Sequence, residues 1–260
     1  MATPKARAGT ANRDSYSHGE VAGYLHDRYH CRRLELAVGL LAGHLESAPG
    51  RPGPVVVDLG AGDGSACGRL ADHGLRPIAG DIVPDAARAV RARGITAIAL
   101  DAGECLPFRS GSLDGILAGE IIEHLFDPGL LLRECGRVLR RGGMLVVTTP
   151  NLAPAQDRLR FLAGRAPRQV DPFHEYLYLH IRPFTYSLLA YGLRRAGLTP
   201  IRLLSNYAVW RTRFGEIRCR WIADRWPTLG GSLIVAAVRP SGAAQPAPGT
   251  EPAWNQSARR

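Results

Sequence analysis

Lysine is nearly missing from this chain. Lys5 is the only one in 260 residues, and the other 32 basic residues are arginine. The net charge of +10 would by itself point towards an anionic partner. With lysine absent and Ala, Gly and Pro abundant, however, the arginine excess reads as the compositional habit of a GC-rich genome. Long apolar runs are missing too. No stretch of about 18 apolar residues occurs, so no transmembrane helix is expected. The opening residues, MATPKARAGTANRDSYSHGE, carry no apolar core, so no secretory leader is expected. Cysteine is sparse and scattered at Cys31, Cys67, Cys105, Cys135 and Cys219, never as C-x-x-C. That pattern speaks against a disulfide framework or a zinc knuckle and for a reducing, cytoplasmic location. No internal repeat is present.

The ends, residues 1–17 and 240–260, are rich in Pro, Ala, Ser and Gly and read as disordered tails. Between them, residues 18–239 read as one domain. A helical pattern with Leu25, Leu34, Val38, Leu41 and Leu45 occupies residues 19–46. Strands and helices then alternate. PVVVDLG, RPIAGDI, ITAIALD, SLDGILAGE and MLVVTTP are strand-like, and SACGRLADHG, PDAARAVRARG and PGLLLRECGRVLRRGG are helix-like. Residues 151–183 break this rhythm and read as a lid insert. A helix (TYSLLAYGLRRAG) and two strands (TPIRLLS, SLIVAAVR) follow. The fold class expected is α/β, a doubly wound parallel sheet with helices on both faces.

The first strand runs straight into a glycine loop, VVVDLGAGDGS, residues 55–65. Gly60, Gly62 and Gly64 allow backbone to approach a ligand and feed a helix N-terminus. The spacing is G-x-G-x-G; Ser65 stands where a G-x-G-x-x-G pattern counted from Gly60 needs its third glycine. Asp58 lies just before the loop, where a carboxylate repels a pyrophosphate but suits a cationic group such as an α-ammonium. Asp81 ends the second strand, 17 residues after Gly64, where it can accept both hydroxyls of a ribose. Ile82 can cover one face of a purine, and Asp101, ending the third strand, can accept from an exocyclic amine. All three acids fall at carboxyl ends of strands, where open α/β sheets bind ligands.

Together with LDAGECLPFRSGSLDGILAGEIIEHLFDPGLLLRECGRVLRRGGMLVVTTPN, these segments resemble a class I S-adenosylmethionine-dependent methyltransferase over about residues 55–151. The resemblance implies a Rossmann-like seven-stranded sheet whose last strand is antiparallel, and S-adenosylmethionine as cofactor. It also implies that Asp58, Gly60, Ala61, Gly62 and Gly64 hold the methionine end, Asp81 the ribose, and Asp101 with Ala102 the adenine.

After the fourth strand comes GEIIEHLFDP, residues 119–128. Methyl acceptors approach here in the family, so Glu123 and His124, with the more distant His180 of LHIRPFT, are the catalytic candidates, and Glu120 is placed beside the cofactor. Generic small-molecule methyltransferases and ubiquinone-pathway O-methyltransferases resemble this segment. So do enzymes methylating the 3′-terminal 2′-hydroxyl of small RNAs, which implies an alternative metal set of Glu120, Glu123, His124 and His180. A reading without metal is favoured, with Glu123 and Asp127 as anions at a helix start. His174 and Glu175 are further cleft candidates, and Phe173, Tyr176, Tyr178 and Phe184 suggest a lid over the acceptor.

Residues 207–226, YAVWRTRFGEIRCRWIADRW, space Trp210, Phe214, Ile217 and Trp221 as on one helical face. The expected form is a helix packed between the last two strands, with peripheral contact on an anionic membrane or a grip on an anionic substrate as sharper readings. The function expected is methyl transfer to an oxygen of a small-molecule, glycan or lipid-linked acceptor. Methylation of RNA, and a non-catalytic partner subunit of the same fold, are the alternatives. The sequence carries no signal of oligomeric state.

Overall fold

The structure is a computed structural model and describes residues 27–47, 53–174 and 177–242. The expected tails therefore lie almost entirely outside the described residues. So do Glu175, Tyr176, the side chain of Tyr178 and the first part of the N-terminal helical pattern.

Seven strands form one sheet in the order β3-β2-β1-β4-β5-β9-β6. They are β1 (Val55–Leu59), β2 (Arg76–Asp81), β3 (Thr96–Ala99), β4 (Leu113–Gly119), β5 (Leu139–Pro150), β6 (Thr199–Leu204) and β9 (Ser232–Val238). β9 is antiparallel to both of its neighbours, β5 and β6. β6 therefore runs in the same direction as β1–β5, and their carboxyl ends share one edge. This is the doubly wound sheet with an antiparallel last strand that the sequence implied.

Alternation along the strands divides the core into two layers. On one face Val56, Leu117, Val146, Ile234 and Ala236 meet Val38, Leu41 and Leu45 of helix α1 (Arg28–Glu46). On the other, Val57, Ile116, Leu145, Val147 and Val235 meet α4 (Pro128–Val138) through Leu131 and Cys135, and α6 (Tyr186–Arg195) through Leu189 and Leu193. Each fully buried Leu or Val contributes roughly 1.5–3 kcal/mol. Gly115 lets α1 settle on β4, since a Cβ there would stand 2.9 Å from Leu41 Cδ1. Helices α2 (Ser65–Asp72) and α3 (Pro84–Ala92) link β1 to β2 and β2 to β3.

Side chains of the expected type start the principal helices. Asp27 accepts from the Tyr29 amide (2.8 Å), Asp127 from that of Leu130 (3.0 Å) and Thr185 from that of Leu188 (3.4 Å).

Two elements differ from expectation. The helix expected to reach Gly143 stops at Val138, and Leu139–Gly143 join β5. Sheet pairing takes this stretch: Gly142 donates to the Arg239 carbonyl (2.7 Å), and the Arg239 amide to the Gly143 carbonyl (2.9 Å). Residues 207–226 are not a helix over their length. They form a hairpin of β7 (Ala208–Thr212) and β8 (Gly215–Cys219), and then a short helix α7 (Arg220–Arg225). Gly215, at φ 136, turns the chain back, and Val, Trp and Thr favour strand over helix. Between β5 and α6 the insert holds one helix, α5 (Ala155–Leu162), and short 3-10 turns at Arg168–Val170 and Leu177–Leu179.

Candidate active site

The glycine loop leaves β1 at the carboxyl edge with three residues in the left-handed region: Gly60 at φ 74, Gly62 at φ 51 and Gly64 at φ 77. Each has its own reason. A Cβ on Gly60 would stand 2.4 Å from Ile121 Cγ2, and one on Gly64 would stand 2.9 Å from Val90 Cγ2. A Cβ on Gly62 would meet nothing within 4 Å, so here the bare backbone faces open space. Ala61 is buried beside Cys67 and Ala79.

Three acids line this edge. Asp58 is 3 % exposed. Burial, and then the charges of Asp81 and Asp63, push its carboxyl up to about 7, although the Cys67 thiol donates to it at 3.5 Å. Asp81, the last residue of β2, accepts from the Gly62 amide and the Val83 amide, both at 2.8 Å. Its carboxylate thereby fastens the glycine loop to the end of the second strand, with Ile82 half-buried beside it. Asp101 accepts from the Gly103 amide at 2.7 Å, next to half-buried Ala102.

The segment after β4 stands against the same loop. Leu59 pairs with Ala118, so Gly119 and Glu120 are level with Gly60, and Ile121 touches it. Glu120 is the only non-glycine with positive φ (53) among the described residues. Its carboxylate takes the buried Arg33 guanidinium at 2.9 Å and the Thr148 hydroxyl at 2.9 Å. Arg33 arrives from α1, 87 positions earlier, and sequence spacing carried no sign of it.

Glu123 and His124 form a buried 3-10 turn, 1 % and 4 % exposed. Glu123 does lie at the start of a short helical turn, but it is buried there, whereas Asp127 caps α4 at the surface. Glu123 Oε2 accepts from the Thr149 hydroxyl at 3.0 Å, while Oε1 has no hydrogen-bond partner. Burial, and then the Glu120 charge, push Glu123 well above the usual carboxylate range. His124 Nδ1 lies 3.1 Å from the Leu179 carbonyl. A carbonyl only accepts, so Nδ1 carries the proton, and Nε2, 4.0 Å from Glu123 Oε1, is the basic nitrogen. His180 stands edge-on to His124 with ring centres 4.9 Å apart. Burial foremost holds both imidazoles neutral, down to about 4.

The insert delivers His180: the Arg182 amide donates to the Glu123 carbonyl (3.0 Å), and the Leu152 amide to that of Phe184 (2.8 Å). Ligand atoms of Glu123, His124 and His180 lie within 4.8 Å of one another. Glu120 is not part of that group. The aromatic lid is also revised. Phe184 belongs to the core, Phe173 is 95 % exposed, and exposed His174 accepts the Leu177 amide at 3.4 Å.

Known proteins match this arrangement. A family model described as a methyltransferase domain matches residues 57–147. A probable S-adenosylmethionine-dependent methyltransferase of Mycobacterium tuberculosis is 35% identical over 120 residues, 46% of this chain. The chain spans 41% of that relative's length. A ubiquinone biosynthesis O-methyltransferase of Xanthomonas oryzae is 29% identical over 174 residues, covering 62% of this chain and 70% of that protein. Among solved structures, the Burkholderia thailandensis 1,6-didemethyltoxoflavin-N1-methyltransferase bound to S-adenosylhomocysteine superposes with a TM-score of 0.61. It is 20% identical and covers 92% of each chain.

Residues 57–147 thus resemble the methyltransferase domain of that family model, and the chain shares its fold with the solved methyltransferase structure. The carboxyl edge of the sheet meets the needs of S-adenosylmethionine on its own geometry. Gly62 offers a bare backbone facing open space, Asp58 is a buried acid whose charged form a cation would favour, and Asp81 and Asp101 lie at the ends of the next two strands. No helix among the described residues is long and apolar enough to cross a membrane.

Proposed function

We propose that this methyltransferase acts on an oxygen of a small-molecule, glycan or lipid-linked acceptor, with Glu123 and His124 receiving the proton. Asp58 and Gly60–Gly64 hold the methionine end of S-adenosylmethionine, Asp81 the ribose, and Asp101 with Ala102 the adenine; Glu120 supports the wall between cofactor and acceptor. When bound, the cofactor supplies an electrophilic methyl group, and the protein's own task is alignment.

One observation carries the oxygen reading. A buried carboxyl with raised proton affinity lies 4.0 Å from a neutral imidazole whose Nε2 is basic, on the turn that touches the cofactor loop. A hydroxyl loses its proton as it is methylated, and a paired acid and imidazole of this kind can take it. Burial, and then His180 edge-on to it, keep the His124 ring neutral, and the Leu179 carbonyl orients it. The likeness to a ubiquinone biosynthesis O-methyltransferase supports oxygen as the acceptor atom.

The test offers polyhydroxylated aromatics, sugars and amines with labelled S-adenosylmethionine and locates the methyl group by mass spectrometry. We expect it on oxygen. His124→Gln is expected to lower turnover by about 10²–10⁴-fold with S-adenosylhomocysteine affinity unchanged. Methylation confined to amines, or full activity of the variant, would sink the reading.

A second reading rests on Glu123 Oε1, a buried carboxylate oxygen with no hydrogen-bond partner, aimed among two imidazoles. One carboxylate and two histidines suit a borderline divalent ion such as Zn²⁺ or Mn²⁺. The four-ligand set of the RNA enzymes is not assembled, because Arg33 and Thr148 occupy Glu120. Chelator decides between the readings. Turnover survives it in the first; loss of turnover restored by added Mn²⁺ or Zn²⁺, with calorimetric binding of the ion abolished in Glu123→Gln, establishes the second.

A further inference from the structure

Fourteen large apolar side chains stand exposed among the described residues, and ten of them fall in just two segments, 159–173 and 210–226. The segments are distant in sequence and joined in space. The Gln156 side chain, on α5, donates to the Arg211 carbonyl at 2.7 Å and accepts the Arg211 amide at 3.0 Å, filling the outer edge of β7 as a strand would. Arg168 donates to the same Gln156 at 2.6 Å, which ties the next turn into the unit. α5, the hairpin and α7 thus form one continuous face.

This face is apolar at its protruding points and basic around them. Phe214, at the hairpin turn, is 86 % exposed, and Leu162, at the end of α5, is 81 % exposed. Trp210 and Ile217 are directly opposite each other in the hairpin, so they share one side of it, and both are exposed. Residues 208–226 hold five arginines against two acids, and residues 155–170 hold four against one. Arg213 lies 4.6 Å above the Phe214 ring and Arg225 lies 5.4 Å above that of Trp226. Each of these pairs presents a cation beside an aromatic ring.

The location completes the argument. α5 follows the end of β5 and the hairpin follows the end of β6, so both rise from the carboxyl edge that carries the cofactor loop and the Glu123–His124 turn. Rings and leucines at a turn tip and a helix end are protrusions, which a fluid lipid interface accommodates without a complementary cavity. Trp and Phe ringed by arginine is the composition that binds such an interface when its headgroups are anionic.

We propose that α5, the β7–β8 hairpin and α7 form a docking face for an anionic lipid surface, which turns the mouth of the active site towards the bilayer. The interaction is peripheral and is independent of which acceptor the enzyme methylates.

The full chain is mixed with vesicles of phosphatidylglycerol and phosphatidylcholine in equal parts, and with vesicles of phosphatidylcholine alone. We expect co-sedimentation with the first at least about tenfold stronger than with the second, weakened by salt, and a blue shift of tryptophan fluorescence on binding. Phe214→Ser combined with Trp221→Ser is expected to weaken binding to the anionic vesicles by about tenfold or more, with thermal unfolding and S-adenosylhomocysteine affinity unchanged. Phe161→Ser combined with Leu162→Ser is expected to do the same. Absence of vesicle binding would overturn the proposal. So would binding that the aromatic variants leave intact, which would place the contact elsewhere on the chain. A dimer that these variants dissolve, or a single-stranded RNA that displaces the vesicles at equal salt, would assign the face to another occupant and overturn it as well.

Discussion

Asp81 joins local structure to ligand chemistry in one side chain. Its two oxygens take the amides of Gly62 and Val83, so it shapes the glycine loop and is the residue we propose for the ribose. Asp81→Ala is expected to lower S-adenosylhomocysteine affinity at least about tenfold by calorimetry, since both a charged acceptor and the loop's anchor are lost. Unchanged affinity would remove Asp81 from the cofactor site. This position was legible in the sequence because strand ends and glycine spacing are local patterns. The partners of Glu120 and Glu123 were not legible: Thr148 and Thr149 look like ordinary strand residues, and only the alignment of β4 with β5 brings their hydroxyls to the two carboxylates.

At the scale of elements, the helix before the sheet does more than cover it. α1 buries its apolar stripe on β4, β5 and β9 and sends Arg33 to Glu120, a residue in left-handed backbone beside the cofactor loop. The pair is nearly buried, and removing one partner strands a charge. Arg33→Gln is therefore expected to cost about 2–4 kcal/mol of stability in chemical denaturation and to loosen the turn that carries Glu123 and His124. If stability and turnover are both unaffected, α1 is only a cover. The hairpin shows the opposite limit of element-level reading. The 4, 3, 4 spacing of Trp210, Phe214, Ile217 and Trp221 fits a helix, but Gly215 and strand-favouring neighbours direct the chain into β7 and β8. Apolar residues that a helix would have buried are left on the surface.

For the whole molecule, the site carries a stability cost that pH makes visible. Asp58 ionises near 4 in an unfolded chain and at about 7 in the fold. Between those values the native state holds the extra proton, so this residue's contribution to stability falls as pH rises from about 4 to about 7 and is level above. A tenfold change in an acid constant is worth ~1.4 kcal/mol, so the effect is on the order of a few kcal/mol. His124 and His180, held down to about 4, act in the opposite sense, and their stability is lost as pH falls from about 6.5 to about 4. Comparison with a variant isolates the acid. Asp58→Asn is expected to melt higher than the parent at pH 8, with the gap closing towards pH 4, and to bind S-adenosylhomocysteine more weakly. A gap that does not change with pH would show that Asp58 is already charged in the fold. Such an exchange of stability for a poised acid is usual at functional sites.

By itself the sequence determined the alternation of strands and helices, the glycine loop and the acids at the strand ends, because each is written in neighbouring residues through backbone geometry and hydrophobic period. The tertiary structure decided which distant groups meet. It placed Arg33 on Glu120, the Leu179 carbonyl on His124, His180 beside both His124 and Glu123, and Gln156 on Arg211. These contacts join elements from 55 to 87 residues apart. They are fixed by how layers close over the sheet, and no local propensity encodes that closure.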